Sequence, residues 1–191
     1  MMSELPDWMY APRMEGWFAD DLDHLPQAPP HTELLHGALV FRLTPQRSWH
    51  NRVTSRLTSA LERIAPEGDL AESWMTVTLD ERNRLEPDVL VSRAAFDPDR
   101  TGYAPGEVLL VVEVVSRESQ HRDRGVKFRK YAEAGIPHYW IVEEEEGSRV
   151  AVHVYELDEV TSSYVSAGIF RGTLERPVPF PITIDLRRAA D

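Results

Sequence analysis

The stretch EVLLVVEVVS, Glu107 to Ser116, is almost unbroken Val and Leu, the composition of a strand buried on both faces of a sheet, yet Glu113 stands in its middle. An ionised carboxylate in such a place is costly unless a cation or strong hydrogen bonds meet it. The residues leave two partners open: a metal ion, or a basic side chain such as Lys127 or an arginine.

Downstream, six basic residues (Arg117, Arg122, Arg124, Lys127, Arg129 and Lys130) stand against two acidic ones, Glu118 and Asp123. The plain interpretation of such a run is a solvated helix face. A helix is expected from about Ser119 to Ala134, with Gly135 to terminate it and Pro137 to prevent its continuation. On it Asp123, Lys127 and Tyr131 stand four apart and share one face. If that face looks toward Glu113, the Lys127 amine lies beside it; the simpler alternative is an ion pair with Asp123. HYWIVEEEEGSRVAVHVYEL then gives a strand, an acidic turn around Gly147 and another strand. The helix becomes a crossover between two parallel strands.

Upstream, LAESWMTVTL and RLEPDVLVS are two more β segments, and Asp88 lies 25 positions before Glu113. Adjacent strands can bring such carboxylates to one ion, although sequence does not fix their register. Hard cations such as Mg²⁺ take carboxylate, carbonyl and water oxygens. Still earlier, TELLHGALVFRL makes a hairpin turning at His36-Gly37. SWHNRVTSRLTSALERIAP carries apolar residues at Trp49, Val53, Leu57, Ala60, Leu61 and Ile64, one face of a helix, with Ser48 as N-cap, His50 in the first turn and Pro66 as the stop. The tail from Tyr164 offers short strands. The order implies an α/β domain with a mixed central β-sheet flanked by helices over residues 31–187, and a peripheral, Pro-rich N-terminal segment over 1–30 with a short helix near Trp17–Leu25.

Composition bounds the function. With 191 residues, 42% hydrophobic content and five Trp, the chain is large enough to bury a core. The absence of cysteine excludes disulfides, thiolate nucleophiles and Cys-based metal sites and suits a reducing compartment. MMSELPDWMY lacks the pattern of a signal peptide and no segment has the length of a bilayer span, so a cytoplasmic protein without membrane association is expected. A formal charge of -11 opposes nucleic-acid binding by the whole surface and leaves the local basic run as its candidate. No HExxH, phosphate-cradling GxxxxGK[ST] or Gly-flanked serine elbow occurs. Ser116 is then a cap at the start of the helix, and Tyr139 and Trp140 are core.

EPDVLV, VVEVVS and DRGVKFRKYAEAGIPHYWIV together resemble the PD-(D/E)XK nuclease superfamily, and more closely a large bacterial group of restriction-endonuclease-like proteins. The resemblance covers roughly residues 31 to 187. It implies that Asp88 and Glu113 are metal ligands, with the Val114 carbonyl as a further one. The motif lysine would fall at position 115, where Val115 stands; in the group this role passes to a lysine of the following helix, here Lys127. Glu33 matches a glutamate near the first hairpin and joins the metal site directly or through water; otherwise it is an exposed strand residue. His50 matches a histidine that contacts phosphate or shuttles a proton; otherwise it only begins a helix. His36, where the group often has an acid or amide, is turn variation. The implied function is a nuclease dependent on Mg²⁺ or Mn²⁺ and acting on nucleic acid, DNA above RNA, with Arg122, Arg124 and Lys130 on the backbone, as a homodimer. Its rivals are a non-catalytic nucleic-acid- or protein-binding module of the same fold and a nuclease activated by a partner.

Overall fold

The computed structural model describes residues 6–42, 45–116, 119 and 121–190. A 3-10 turn at Ala19–His24 precedes β1 (Glu33–Leu35) and β2 (Ala38–Val40), which form the expected hairpin; His36 and Gly37 both take the left-handed φ that a two-residue turn of this hand requires. Helix α1 (Ser48–Ile64) follows. Arg47, not Ser48, occupies the N-cap position, Ser48 is the first helical residue, and no side chain caps this end.

The two β segments expected next are each broken. LAESWMTVTL divides into β3 (Leu70–Ser73) and β4 (Thr76–Asp80) at Trp74, whose φ of 64° turns the chain out of the extended region. RLEPDVLVS divides into β5 (Asn83–Leu85) and β6 (Val89–Ser92) around Pro87, which has no N–H to give to a ladder. At both breaks the chain changes sheet: β4 and β5 join β1, β2 and β7 (Gly102–Tyr103) in the order β2-β1-β5-β4-β7, while β3 and β6 enter a larger sheet.

That larger sheet continues with β8 (Val108–Val114), β9 (His138–Glu145), β10 (Arg149–Asp158) and β11 (Ser163–Arg171), in the order β11-β10-β9-β8-β6-β3. Only β8 and β9 run parallel in it, joined by the expected crossover. The crossover starts with a π-helical turn, Arg122–Val126, and becomes α-helical only as α2 (Lys127–Glu133), ending at Gly135 with φ 80°. A small sheet of β12 (Thr173–Arg176) and β13 (Ile182–Asp185) closes the chain. Arg117 and Glu118 of the basic run lie outside the described residues.

The helices cover opposite faces of the large sheet. Val53, Leu57 and Leu61 of α1 pack with Val89, Val91, Val112 and Val114; Tyr131 and Ala132 of α2 pack with Leu90, Val111, Tyr139 and Ile141. Alternation along β8 thus sends Val112 and Val114 toward α1 and puts Glu113 on the α2 side. Tyr139 and Trp140 are core residues. Trp17 and Ala19 of the N-terminal segment pack with Leu34 of β1. Among the described residues no helix is long and apolar enough to cross a membrane.

Candidate active site

Val89 of β6 pairs with Val112 of β8, so Asp88, one residue before the ladder, lies opposite Glu113. Pro87 ends β-pairing there and leaves the Asp88 carboxylate free to accept the Val114 N–H at 2.7 Å. Arg42 Nη1 donates to its other oxygen at 3.1 Å and Nη2 to the Glu86 carbonyl at 3.1 Å, while His50 Nε2, from the first turn of α1, stands 3.3 Å from Asp88 Oδ2. Burial alone would raise the pKa of Asp88; His50, Arg42 and the Val114 N–H outweigh it and hold the carboxyl below its usual value.

Glu113 is 1% exposed. Lys127 Nζ donates to its Oε1 at 3.1 Å, as does the Tyr131 hydroxyl at 3.1 Å. The same Nζ lies 2.8 Å from Glu33 Oε1 and 3.8 Å from Asp123 Oδ1. Glu33 is not an exposed strand residue: it is buried, and its Oε1 also accepts the Glu86 N–H at 2.8 Å. Lys127 therefore joins the two sheets, taking Glu33 from the smaller and Glu113 from the larger. Burial raises Glu113 well above the usual carboxylate range, helped by Asp123, Asp88 and Glu33 and opposed by Lys127; Asp123 is raised by burial too. Burial disfavours the Lys127 charge, but Glu113, Glu33 and Asp123 overcome that and raise its pKa, so it remains a cation. In this arrangement it can orient a water or balance phosphate charge but is no proton acceptor.

One cleft is lined by Glu33, Asp88, Glu113, Val114, His50, Lys127 and Arg122, together with Arg42 and Asp123. Arg124 and Lys130 lie outside that lining: Arg124 pairs with Glu143, and Lys130 with Glu133 at 2.9 Å. Arg42 and Asp123 were not foreseen as cleft residues. Asp123 is visible in the sequence as the residue four before Lys127; Arg42, in an irregular segment after the hairpin, carries no periodic signal.

The chemistry of the donor set fits a hard divalent cation. Four buried carboxyl groups (Glu33, Asp88, Glu113 and Asp123) face two firmly charged cations, Arg42 and Lys127. Among those residues no three His, Asp or Glu side chains meet closely enough to hold a metal, because Lys127 stands between Glu33 and Glu113.

The family model for Uma2, described as "Putative restriction endonuclease", matches residues 19–187. The chain belongs to the Uma2 family. Its fold matches the crystal structure of a "putative nuclease belonging to DUF820" from Anabaena variabilis ATCC 29413, with a TM-score of 0.66 at 16% identity over 89% of this chain and 95% of that one. Among curated proteins no match is found. This Uma2 chain thus has the restriction-endonuclease-like architecture that EPDVLV and VVEVVS suggest, with both motifs ending at the cleft.

Proposed function

We propose that the chain is a metal-dependent phosphodiesterase acting on nucleic acid, with DNA as its substrate and residues 31–187 as the catalytic domain. The observation that carries this reading is the convergence of four buried carboxyl groups on one cleft beside Arg42 and Lys127, in a protein whose family is described as "Putative restriction endonuclease". Asp88, Glu113 and the Val114 carbonyl would hold Mg²⁺ or Mn²⁺, with Glu33 as a direct or water-mediated ligand. Bound there, a divalent ion polarises the scissile phosphate and acidifies water. Lys127 supplies fixed positive charge beside the reacting oxygens. Arg42 and the Val114 N–H hold Asp88 in place, and His50, within reach of Asp88, contacts phosphate or carries a proton. Arg122 reaches the backbone from within the cleft, with Arg124 and Lys130 beyond it. A homodimer gripping the duplex in the cytoplasm completes the proposal.

Titration of Mg²⁺ and Mn²⁺ by calorimetry into wild type and Glu113→Ala, followed by single- and double-stranded substrates, tests it. The expected result is cation binding and cleavage by wild type, both lost in the variant. Metal binding without cleavage of any DNA or RNA form would establish instead a binding module that keeps the nuclease fold. Identical behaviour of the two proteins would remove the metal site altogether.

A further inference from the structure

Trp74 stands where the chain leaves β3 for β4, and its φ of 64° makes that turn. Glycine takes this left-handed conformation without steric cost, whereas a bulky side chain there is an outlier, so the turn alone does not call for an indole. Nor does the core: Trp74 is half-buried and belongs to none of the three apolar clusters. Its ring instead meets three polar side chains. The Arg42 guanidinium lies over it, 5.3 Å from the ring centroid, the His50 imidazole is 5.9 Å away and tilted by 31°, and the His31 imidazole is 5.1 Å away.

Two of these three reach Asp88, and neither is oriented by its own element alone. Arg42 sits in the irregular segment after β2, where its bonds go to Asp88 and the Glu86 carbonyl. His50 comes from the first turn of α1, an end that no side chain caps, and its buried Nδ1 has no hydrogen-bond partner among the described residues. A histidine is ordinarily oriented by the bond that its second ring nitrogen makes. Here contact with the indole takes that place. The remaining contact closes a circuit: His31, itself at a φ of 63°, bonds the Glu86 carboxylate through Nδ1 at 2.5 Å, and Glu86 carries the carbonyl that accepts from Arg42. Two side chains in the left-handed region, from separate parts of the chain, thus meet ring to ring next to the cleft. Backbone strain of that kind persists only where the surroundings impose it, and it gathers at functional sites. Trp74 does not itself line the cleft; Arg42 and His50 do.

We propose that Trp74 is a positioning residue: its indole holds the Arg42 guanidinium and the His50 imidazole against Asp88, and the backbone conformation at residue 74 is kept to hold the ring there. Arg42, whose side chain is only 14% exposed, gains more from the indole face than a solvated cation does. The effect on cleavage rests on the nuclease reading above, whereas the placement of Arg42 is testable without it.

The test compares the full wild-type chain with W74F, which keeps an aromatic ring, and W74G, which removes the ring and relaxes the backbone. In nuclear magnetic relaxation the Arg42 Nε–H should be as restricted as the backbone in wild type and W74F, and mobile in W74G. With Mg²⁺ and labelled DNA, kcat of W74G should fall by about 10- to 100-fold, the cost of a small misplacement at a reacting centre, with KM nearly unchanged. W74F should retain most of the activity. An Arg42 equally restricted in W74G, or mobile in wild type, would overturn the proposal whatever the activity. A mobile Arg42 with wild-type kcat would overturn the positioning role and leave the nuclease reading standing. No cleavage of any DNA or RNA form by wild type would overturn the nuclease reading and the catalytic consequence with it, and the relaxation of Arg42 then decides its placement alone. Far-UV circular dichroism of each variant separates these results from misfolding.

Discussion

Replacing Lys127 by Met should destabilise the metal-free protein more than any other single change in the cleft. The amine lies 2.8 Å from Glu33, 3.1 Å from Glu113 and 3.8 Å from Asp123, separations at which an effective dielectric of about 20 gives roughly 4 to 6 kcal/mol of attraction to each carboxylate. Most of that offsets the desolvation of four charged groups, and removing one partner from such a buried cluster typically costs about 3–5 kcal/mol. In a domain of this size, a loss of about 4 kcal/mol lowers Tm by roughly 8–16 °C. The assay is thermal unfolding of wild type and Lys127→Met in EDTA, then with Mg²⁺ or Mn²⁺. Two further results follow from the same electrostatics. Glu113→Gln in the Lys127→Met background should recover part of the loss, because it removes a buried carboxyl group whose ionised form has lost its cationic partner. Divalent cation should stabilise Lys127→Met more than wild type, since lysine and ion neutralise the same carboxylates. A variant melting within about 1 kcal/mol of wild type in EDTA, where breaking a buried charge pair should cost several times that, would refute the charge balance argued for the cleft.

Asp88→Asn should abolish cleavage and weaken cation binding while the fold persists, measured by calorimetry and circular dichroism. The two facing acids should act on stability with opposite sign. Asp88, held below its usual value of 3.8, contributes stability that is complete above that value and lost as pH falls through its lower folded pKa. Glu113, raised above 4.5, is most favourable when protonated, so its contribution declines as pH rises from 4.5 through its folded pKa. Glu113→Gln should therefore flatten the decline in urea stability with rising pH above 4.5 expected of metal-free wild type; equal slopes would contradict the assignment. Gly37→Val should cost at least about 1–2 kcal/mol, because φ there is 74° and a side chain would meet the Arg82 guanidinium, with the loss visible in denaturant titration.

Much of this was legible before the structure. The apolar density of Glu107–Ser116 marks a central strand, the spacing from Trp49 to Ile64 marks α1, and His36-Gly37 marks the hairpin, because each signal is local. The changes of sheet at Trp74 and Pro87 were not legible: a periodic pattern shows that a segment is extended but not which neighbours it pairs with. For the cleft, Asp88, Glu113, Lys127, His50 and Glu33 are brought together as their motifs suggest. The partner that answers the charge of Glu113 in this structure is Lys127, with Tyr131. Arg42 escaped notice because its partners, Asp88 and the Glu86 carbonyl, lie in a different stretch of chain and no local pattern points to them. The place of Arg124 in a basic run carries no sign of its pairing with Glu143, which depends on the β9–β10 hairpin extending beyond β8 and is shown only by the sheet register.

The bridge made by Lys127 has a consequence for how the protein matures. Glu33 belongs to a sheet laid down by the first part of the chain, Glu113 to another, and the amine between them to a helix that follows both. Contacts so distant along the chain form late, after the entropy of closing the intervening loops has been met. A nascent or partly unfolded molecule can hold its hairpin, α1 and even most of the large sheet without possessing a competent cleft. Competence would then be an all-or-none property of the finished protein, and recovery of the proposed cation binding on refolding should lag recovery of secondary structure.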